Sequence, residues 1–116
     1  MSKFYTFGQN NSGGSFLSDH AVGISKFVIV EADSSAEANE RAESIGLYFD
    51  GASNGGPDCP CCGDRWYRVG PNEGEDAPMI YGKGVRLLDG DPIAEVGCYE
   101  GYVHPKTGSF YAVVCL

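Results

Sequence analysis

Three of the chain's five cysteines stand within four positions, in the stretch DCPCCGDRWY. Cys59 and Cys62 have the C-x-x-C-G spacing with which one tight turn supplies two thiolates to zinc. A tetrahedral zinc site needs two more ligands, and Cys98 and Cys115 on the last two strands are the first candidates. The sequence therefore offers a structural zinc site at Cys59, Cys62, Cys98 and Cys115, with Cys61, His20 and His104 as other ligands to consider.

Two other interpretations of the cysteines stay open. A buried free cysteine behaves as a small apolar residue, and strand positions such as Cys98 and Cys115 suit that role. A redox C-x-x-C pair normally opens a helix that lowers the thiol pKa, whereas aromatic residues follow Gly63 here and favour a strand. Redox or catalytic thiol chemistry is therefore the least favoured of the three.

A glycine-rich polar loop, Gly8–Ser15, is a second candidate for function. It matches neither the Walker A nor the dinucleotide-binding pattern, so it satisfies no nucleotide motif. Asn10, Asn11 and Ser12 nevertheless carry amide and hydroxyl groups beside aromatic residues, and side chains of these kinds bind a base or a sugar. The alternative is a flexible surface loop without a ligand.

Arg65, Trp66 and Arg68 form the third candidate, directly after the cysteines. Two guanidinium groups around an aromatic ring could hold a phosphate and stack a planar ring. Under the alternative interpretation, alternate residues of a strand over 65–69 face the core while the arginines pair with nearby carboxylates. Together with Asn10, Asn11 and Ser12, these residues are the predicted ligand contacts.

Length and charge exclude several classes of protein. With 116 residues the chain is expected to form one domain, 1–116. Sixteen acidic against eight scattered basic residues give a net charge of -8, which disfavours binding to a nucleic-acid backbone. No apolar run is long enough for a membrane span and no signal peptide is recognisable, so we expect no membrane association.

Hydrophobic patterns predict an α+β fold, a small mostly antiparallel sheet with one main helix at about 34–45. Ser34 and Glu37 have capping-box spacing, and Gly46 suits the helix end. Strands are predicted at 3–8, 26–32 and 65–69, with a short edge strand at 79–81. The strand at 26–32 is so apolar that it should lie inside the sheet, covered on both faces.

The C-terminal stretches 95–102 and 109–116 predict a β-hairpin around the turn residues His104–Gly108. If Pro105–Gly108 form a four-residue loop, Tyr102 lies opposite Tyr111 and Cys98 lies opposite Cys115. A three-residue loop would place Leu116 opposite Cys98 instead. The pairing of the two cysteines therefore depends on the turn.

The stretches FYTFGQNNSGGSF, GLYFDG and DCPCCGDRWY resemble a family of small uncharacterised proteins of tailed bacteriophages. The resemblance covers about residues 3–69 and implies expression in the cytoplasm of an infected bacterial host. Small acidic phage proteins without catalytic motifs often serve host takeover or counter-defence. They occupy a host protein surface or sequester a nucleotide-like signalling molecule.

The leading prediction is therefore a non-enzymatic binding protein whose partner is a host protein or a small nucleotide-like ligand. One alternative is a zinc-stabilised virion-associated or structural interaction protein. Another is a small metal-dependent hydrolase, which would need an open zinc position and a nearby general base. Aromatic-rich strands could also present an interface for a homo-oligomer.

Overall fold

The computed structural model describes residues 2–10, 19, 21–52, 63–80, 83–87, 99–107 and 109–115, with only the backbone of 79–80, 83–87, 99–100 and 112–115. This part of the chain contains one helix and six strands, which confirms the predicted α+β class. In chain order the elements are β1 Lys3–Gly8, β2 Phe27–Ala32, α1 Ser35–Ile45, β3 Met79–Ile80, β4 Lys83–Leu87, β5 Tyr99–His104 and β6 Tyr111–Cys115.

The strands form one sheet in the order β1-β2-β5-β6-β4-β3. All neighbours are antiparallel except β2 and β5, which are parallel. The prediction for β2 is confirmed, since it lies between β1 and β5 and Val28, Ile29 and Val30 are fully buried. Its continuous apolar run follows from burial on both faces of the sheet.

Helix α1 begins and ends as the sequence predicts. The Ser34 hydroxyl accepts a hydrogen bond from the Glu37 N–H at 3.1 Å and caps the first turn. At the other end Gly46 has a φ of 134° and donates its N–H to the Ala42 carbonyl. The small side chains of Ala38 and Ala42 face the sheet and are fully buried, so the helix lies close against it.

Two apolar clusters lie on opposite faces of the sheet. The face toward α1 includes Tyr5, Phe7, Val28 and Val30 from the strands, together with Trp66 and Val69 from the later chain. The other face gathers Phe27, Ile29 and Val103, with Phe4 and Tyr111 packed against them. The alternation of side chains along β1 and β2 divides the core in this way.

The outer edge of β1 is partly covered by the segment that precedes β3. Phe4 and Glu75 exchange two backbone hydrogen bonds, at 2.8 and 2.9 Å, and Lys3 forms an ion pair with Asp76. Because β3 starts four residues after Glu75 and also contacts β1, the two end strands of the sheet lie near each other. The sheet therefore curls instead of remaining open.

The C-terminal hairpin has a different register from the one based on a four-residue loop. Val103 lies opposite Tyr111, and Tyr102 lies opposite Ala112. Near the turn this is the register of the three-residue-loop alternative, so the pairing of Tyr102 with Tyr111 from the four-residue loop is wrong. The observed register places Tyr111 on the apolar face that contains Val103, and burial of that face fixes the register. A shift between Tyr99 and Gly101 then places Tyr99 opposite Val114.

Candidate functional site at the junction of two loops

The structure brings the two predicted ligand-binding stretches together. The Asn10 backbone N–H donates to the Arg65 carbonyl at 2.9 Å, and the Asn10 side-chain amide donates to the Asp64 carbonyl at 3.2 Å. Asn10, from the start of the glycine-rich loop, and Asp64 and Arg65, which follow the cysteines in sequence, therefore lie together. We call Gln9, Asn10, Asp64 and Arg65 the loop junction.

The segment 65–69 is not a strand, and the prediction of one there is wrong. Its first residue, Arg65, accepts at its carbonyl from the Asn10 N–H, and its last residue, Val69, pairs with a side chain. The Asn39 side chain donates to the Val69 carbonyl at 3.1 Å and accepts from the Val69 N–H at 2.9 Å. This amide on α1 replaces the neighbouring strand that a sheet would supply. Trp66 and Val69 are thereby held in the core beneath the helix.

Arg65 is buried at the centre of the loop junction, with 6% of its surface exposed. Its Nε donates to the Tyr48 hydroxyl at 3.1 Å and one terminal nitrogen donates to the Gln9 side-chain oxygen at 2.8 Å. The Gln9 amide in turn donates to the Ser25 carbonyl at 3.0 Å. The guanidinium therefore joins three separate stretches of chain and does not lie on the surface.

Trp66 and Asp64 are buried as well, with 2% and 7% of their surfaces exposed. One carboxylate oxygen of Asp64 accepts the Ala52 N–H at 2.8 Å, so it ties the chain on either side of residues 53–62. Trp66 packs in the core. These two buried side chains support the surface without forming part of it. Because Trp66 is buried, a ligand cannot stack on its ring.

Arg68 is the predicted contact residue that the structure places on the surface. Its side chain is 54% exposed, and one terminal nitrogen lies 2.8 Å from the Asp50 carboxylate. The guanidinium carbon lies 4.9 Å from the centre of the Phe49 ring, which in turn packs on Phe7 at 6.0 Å. Tyr67, the preceding residue, is 55% exposed.

Sequence reasoning did not identify Phe49 and Asp50 as part of this surface. The signal was present in the stretch GLYFDG, because Asp-Gly is typical of a turn. Asp50 has a φ of 61°, a left-handed conformation that Asp tolerates better than most residues. The turn places its carboxylate beside Arg68, which is eighteen residues later in the chain.

Several predicted site residues cannot be located in the same way. Asn11 and Ser12 lie outside the described residues, as do Cys59, Cys62 and Cys98, with Cys61 and His20. Of Cys115 only the backbone is described, in β6, where it lies opposite Val85. Within the described ranges no group of three or more His, Cys, Asp or Glu side chains could hold a metal ion.

His104, another zinc ligand considered above, has a structural role. Its Nε2 lies 2.7 Å from the Gly23 carbonyl, which can only accept, so the ring nitrogen donates the proton. The ring also packs on Phe110, with 5.2 Å between centres. Burial of the imidazole lowers its pKa, and the nearby Arg41 charge adds to this effect.

The opposite end of β2 is closed by a second polar cluster. Arg41 donates to the Glu31 carbonyl and, at 2.9 Å, to the Pro105 carbonyl. The Glu31 carboxylate accepts from the Ser2 hydroxyl at 2.6 Å and from the Lys106 N–H at 2.9 Å. These hydrogen bonds, that of Ser2 first, lower the pKa of the Glu31 carboxyl. We call this group the polar clasp.

Among the helices of the described residues, none is both long and apolar enough to cross a membrane. Comparison with curated proteins finds no match, and comparison with solved structures finds none either. One family model covers residues 2–113, almost the whole of the chain. The chain belongs to the family described as Domain of unknown function (DUF7296).

Proposed function

We propose that this chain is a non-enzymatic binding protein that captures a host factor through the surface around the loop junction. The observation that carries the proposal is the pair of hydrogen bonds from Asn10 to the carbonyls of Asp64 and Arg65. They join two stretches that were singled out independently as ligand-binding candidates. Loops held in fixed positions by a buried scaffold are where binding residues concentrate in proteins.

The hydrogen-bond network around the buried Arg65 supports a binding role. Arg65, Gln9 and Tyr48 form hydrogen bonds that fix the base of the surface before any partner arrives. Such preorganisation lowers the entropy that a binding surface loses when its partner docks. The scaffold residues then matter for the shape of the surface, while Arg68 and its neighbours make the contacts.

The charge of the protein limits the kind of partner. A net charge of -8 repels polyanions at long range, so attraction to an anionic partner must be local. Arg68 supplies a guanidinium at the surface that is more than half exposed, and only the partly exposed Asp50 carboxylate is described as its ion-pair partner. A small ligand or a protein surface fits this distribution better than a nucleic-acid backbone does.

The resemblance to small phage proteins implies where the protein acts and in which process. In the cytoplasm of an infected bacterium, the binding protein acts in counter-defence. It sequesters a nucleotide-like signalling molecule or blocks a host protein. The two versions use the same surface and differ in the size of the partner, so separate experiments test them.

A thermal-shift screen with cyclic nucleotides and ADP-ribose-type nucleotides tests the small-ligand version. We expect at least one compound to raise the melting temperature, because a ligand that binds only the folded state stabilises it by mass action. Mass spectrometry of the ligand recovered after denaturation should show it unchanged. A ligand recovered in hydrolysed form would overturn the non-enzymatic proposal, and no shift with any compound would end the small-ligand version.

Site-specific photocrosslinking tests the protein-partner version. The photoreactive residue p-benzoylphenylalanine replaces Tyr67, and in a matched control it replaces Lys106 at the opposite end of β2. In a host lysate we expect one host protein to crosslink from position 67 and not from position 106. If neither position captures a protein and no nucleotide binds, the proposal of a binding protein fails.

Metal analysis separates the two zinc alternatives from this proposal. The purified protein is compared with Cys59→Ser and Cys62→Ser variants for zinc content and for folding. Zinc at one equivalent, lost together with folding in the variants, would identify a structural site that is compatible with binding. Zinc with an exchangeable coordination position, together with hydrolytic turnover, would favour the hydrolase instead.

A further inference from the structure

We propose that Arg68, Asp50 and Tyr67 form a site for a planar aromatic anion such as a nucleoside monophosphate. Arg68 binds the anionic group in the place now taken by the Asp50 carboxylate, and the Tyr67 ring stacks on the planar ring. This inference rests on the proposed function and names the chemical class of its ligand. It also replaces the predicted contacts Arg65 and Trp66, which are buried.

The Arg68 guanidinium contacts an aromatic ring that itself packs on the core. Its guanidinium carbon lies 4.9 Å from the centre of the Phe49 ring, and Phe49 packs on the buried Phe7. A guanidinium that stacks on a ring keeps its hydrogen-bonding edge directed outward. The contact with Phe49 does not depend on the Asp50 carboxylate, so the guanidinium keeps this contact when a ligand's anionic group takes the place of that carboxylate.

The Asp50 carboxylate marks the position that the ligand's anionic group would take. It lies 2.8 Å from a terminal nitrogen of Arg68, and the two side chains are 35% and 54% exposed. An ion pair with this exposure contributes little to stability, so its loss costs the protein little. A phosphate carries more charge and can bind the guanidinium through two parallel hydrogen bonds, which favours the exchange.

Tyr67 supplies an open ring at the residue next to this charge. Tyr67 is 55% exposed, although its hydroxyl lies only 3.0 Å from where a Cβ at Gly63 would stand. Gly63 has a φ of 90°, so a side chain there is disfavoured and the hydroxyl end of Tyr67 can approach its backbone. The Tyr67 ring therefore has its hydroxyl end beside Gly63, and the exposed part of the ring is where a planar ligand would stack.

Isothermal titration with adenosine monophosphate, adenosine and inorganic phosphate tests the site. We expect the monophosphate to bind more tightly than either half alone, because only it uses both Arg68 and Tyr67. Arg68→Gln should weaken its binding about 10- to 100-fold, the range for losing a charged hydrogen bond. Tyr67→Ala should abolish the advantage of the monophosphate over phosphate.

Asp50→Asn is the sharpest variant, because Asn has nearly the same shape and tolerates a positive φ. Removing the competing carboxylate should raise the affinity for the monophosphate up to about fivefold, which corresponds to the free energy of an exposed ion pair. Lys106→Gln, which removes a different surface ion pair, is the matched control and should leave binding unchanged. Near-ultraviolet circular dichroism of the single tryptophan checks that each variant is folded.

Three outcomes would overturn the site. They are an absence of monophosphate binding in both the native protein and Asp50→Asn, equal binding in Arg68→Gln, and equal affinity for phosphate and the monophosphate. The failure of this site is distinguishable from failure of the proposed function. If a nucleotide shifts the melting temperature of Arg68→Gln as much as that of the native protein, the proposed site is wrong. The proposed binding function is then still supported.

Discussion

The two ends of strand β2 use arginine in different ways. At its C-terminal end, in the polar clasp, Arg41 bonds to the backbone carbonyls of Glu31 and Pro105. The Glu31 carboxylate is likewise bonded, to Ser2 and to the backbone of Lys106. The clasp thus fastens the turn between β5 and β6 onto β2 with contacts that are made within the protein.

At the N-terminal end of β2, one arginine belongs to the loop junction and supports it, and a second arginine nearby is exposed. Arg65 is buried and bonds to the neutral side chains of Tyr48 and Gln9. Arg68, three residues later, is exposed and holds only a surface ion pair with Asp50 among the polar contacts described. One arginine therefore builds the scaffold, and the other presents its charge to solvent.

This difference reverses the usual expectation for parallel strands. In open α/β sheets, ligands bind beyond the carboxyl ends of the parallel strands. Here the carboxyl ends of β2 and β5 are the ends that the polar clasp covers. The surface that we propose for binding lies at the opposite end, where the chain enters β2, so its position follows from the neighbouring loops and not from the strand direction.

Breaking the scaffold should have the largest effect. We expect Arg65→Met to lower the free energy of unfolding by about 3 kcal/mol, because it removes a buried guanidinium and leaves the half-buried Gln9 and Tyr48 groups without its hydrogen bonds. Arg68→Met removes an exposed ion pair, and we expect it to cost less than about 1 kcal/mol. Urea unfolding of the two variants measures both values.

The pair of variants also tests the division of roles. In binding assays Arg68→Met should bind the ligand more weakly, although it loses less than about 1 kcal/mol of stability. If Arg65→Met proves no less stable than Arg68→Met, then Arg65 is not a scaffold residue, and the distinction between support and contact is wrong.

The sequence predicts the regular part of this fold well. Strand β1 and helix α1 follow from local signals, namely an aromatic β-prone run and a capping box ended by glycine. The strand predicted at 65–69 fails because its aromatic and apolar residues also fit an irregular segment whose last residue, Val69, pairs with a side chain. Asn39 supplies that pairing from thirty residues earlier, a contact that no local pattern reveals.

The sequence predicts that the segment around Arg65–Arg68 forms a contact surface, but it does not predict which of its residues are exposed. Arg and aromatic residues side by side in DRWYR indicate a contact surface. Which of them are exposed depends on how the segment lies under α1, and the structure buries Arg65 and Trp66 while it exposes Tyr67 and Arg68. The partner of Arg68 comes from the turn at Asp50, which sequence alone does not bring near.

Opening the polar clasp should have the next largest effect. Arg41→Met removes hydrogen bonds to the Glu31 and Pro105 carbonyls, and we expect the free energy of unfolding to fall by about 2 kcal/mol. Since the clasp lies at the opposite end of β2, ligand binding near Arg68 should not change in the folded variant. A loss of binding without unfolding would show that the two ends are coupled.

The pH dependence of stability should identify His104 as a fastening group. Because burial lowers its pKa in the folded state, the unfolded chain binds its proton more readily, with an ordinary pKa of 6.5. The contribution of His104 to stability is therefore fully present above about pH 6.5 and is lost as the pH falls toward its folded value. Urea unfolding between pH 7.5 and 5 measures this loss.

His104→Gln is the control for that measurement. A glutamine amide can still donate to the Gly23 carbonyl but does not titrate, so the slope above pH 5 should become flatter. Glu31 acts in a lower range, because its lowered pKa gives a contribution that is lost only as the pH falls below its ordinary value of 4.5. An unchanged slope in His104→Gln would assign the pH effect to another group.

The smallest effect should come from the ammonium group of Lys106. It forms an exposed ion pair with Asp33 at 2.7 Å, which raises the pKa of Lys106 and lowers that of Asp33. Lys106→Gln leaves the backbone N–H that binds Glu31 intact, so the clasp should hold and the urea midpoint should barely move. Any loss should shrink further at high salt, because exposed charges are screened. A loss as large as that of Arg41→Met would mean that charge, and not hydrogen bonding to the backbone, holds this end of β2 closed.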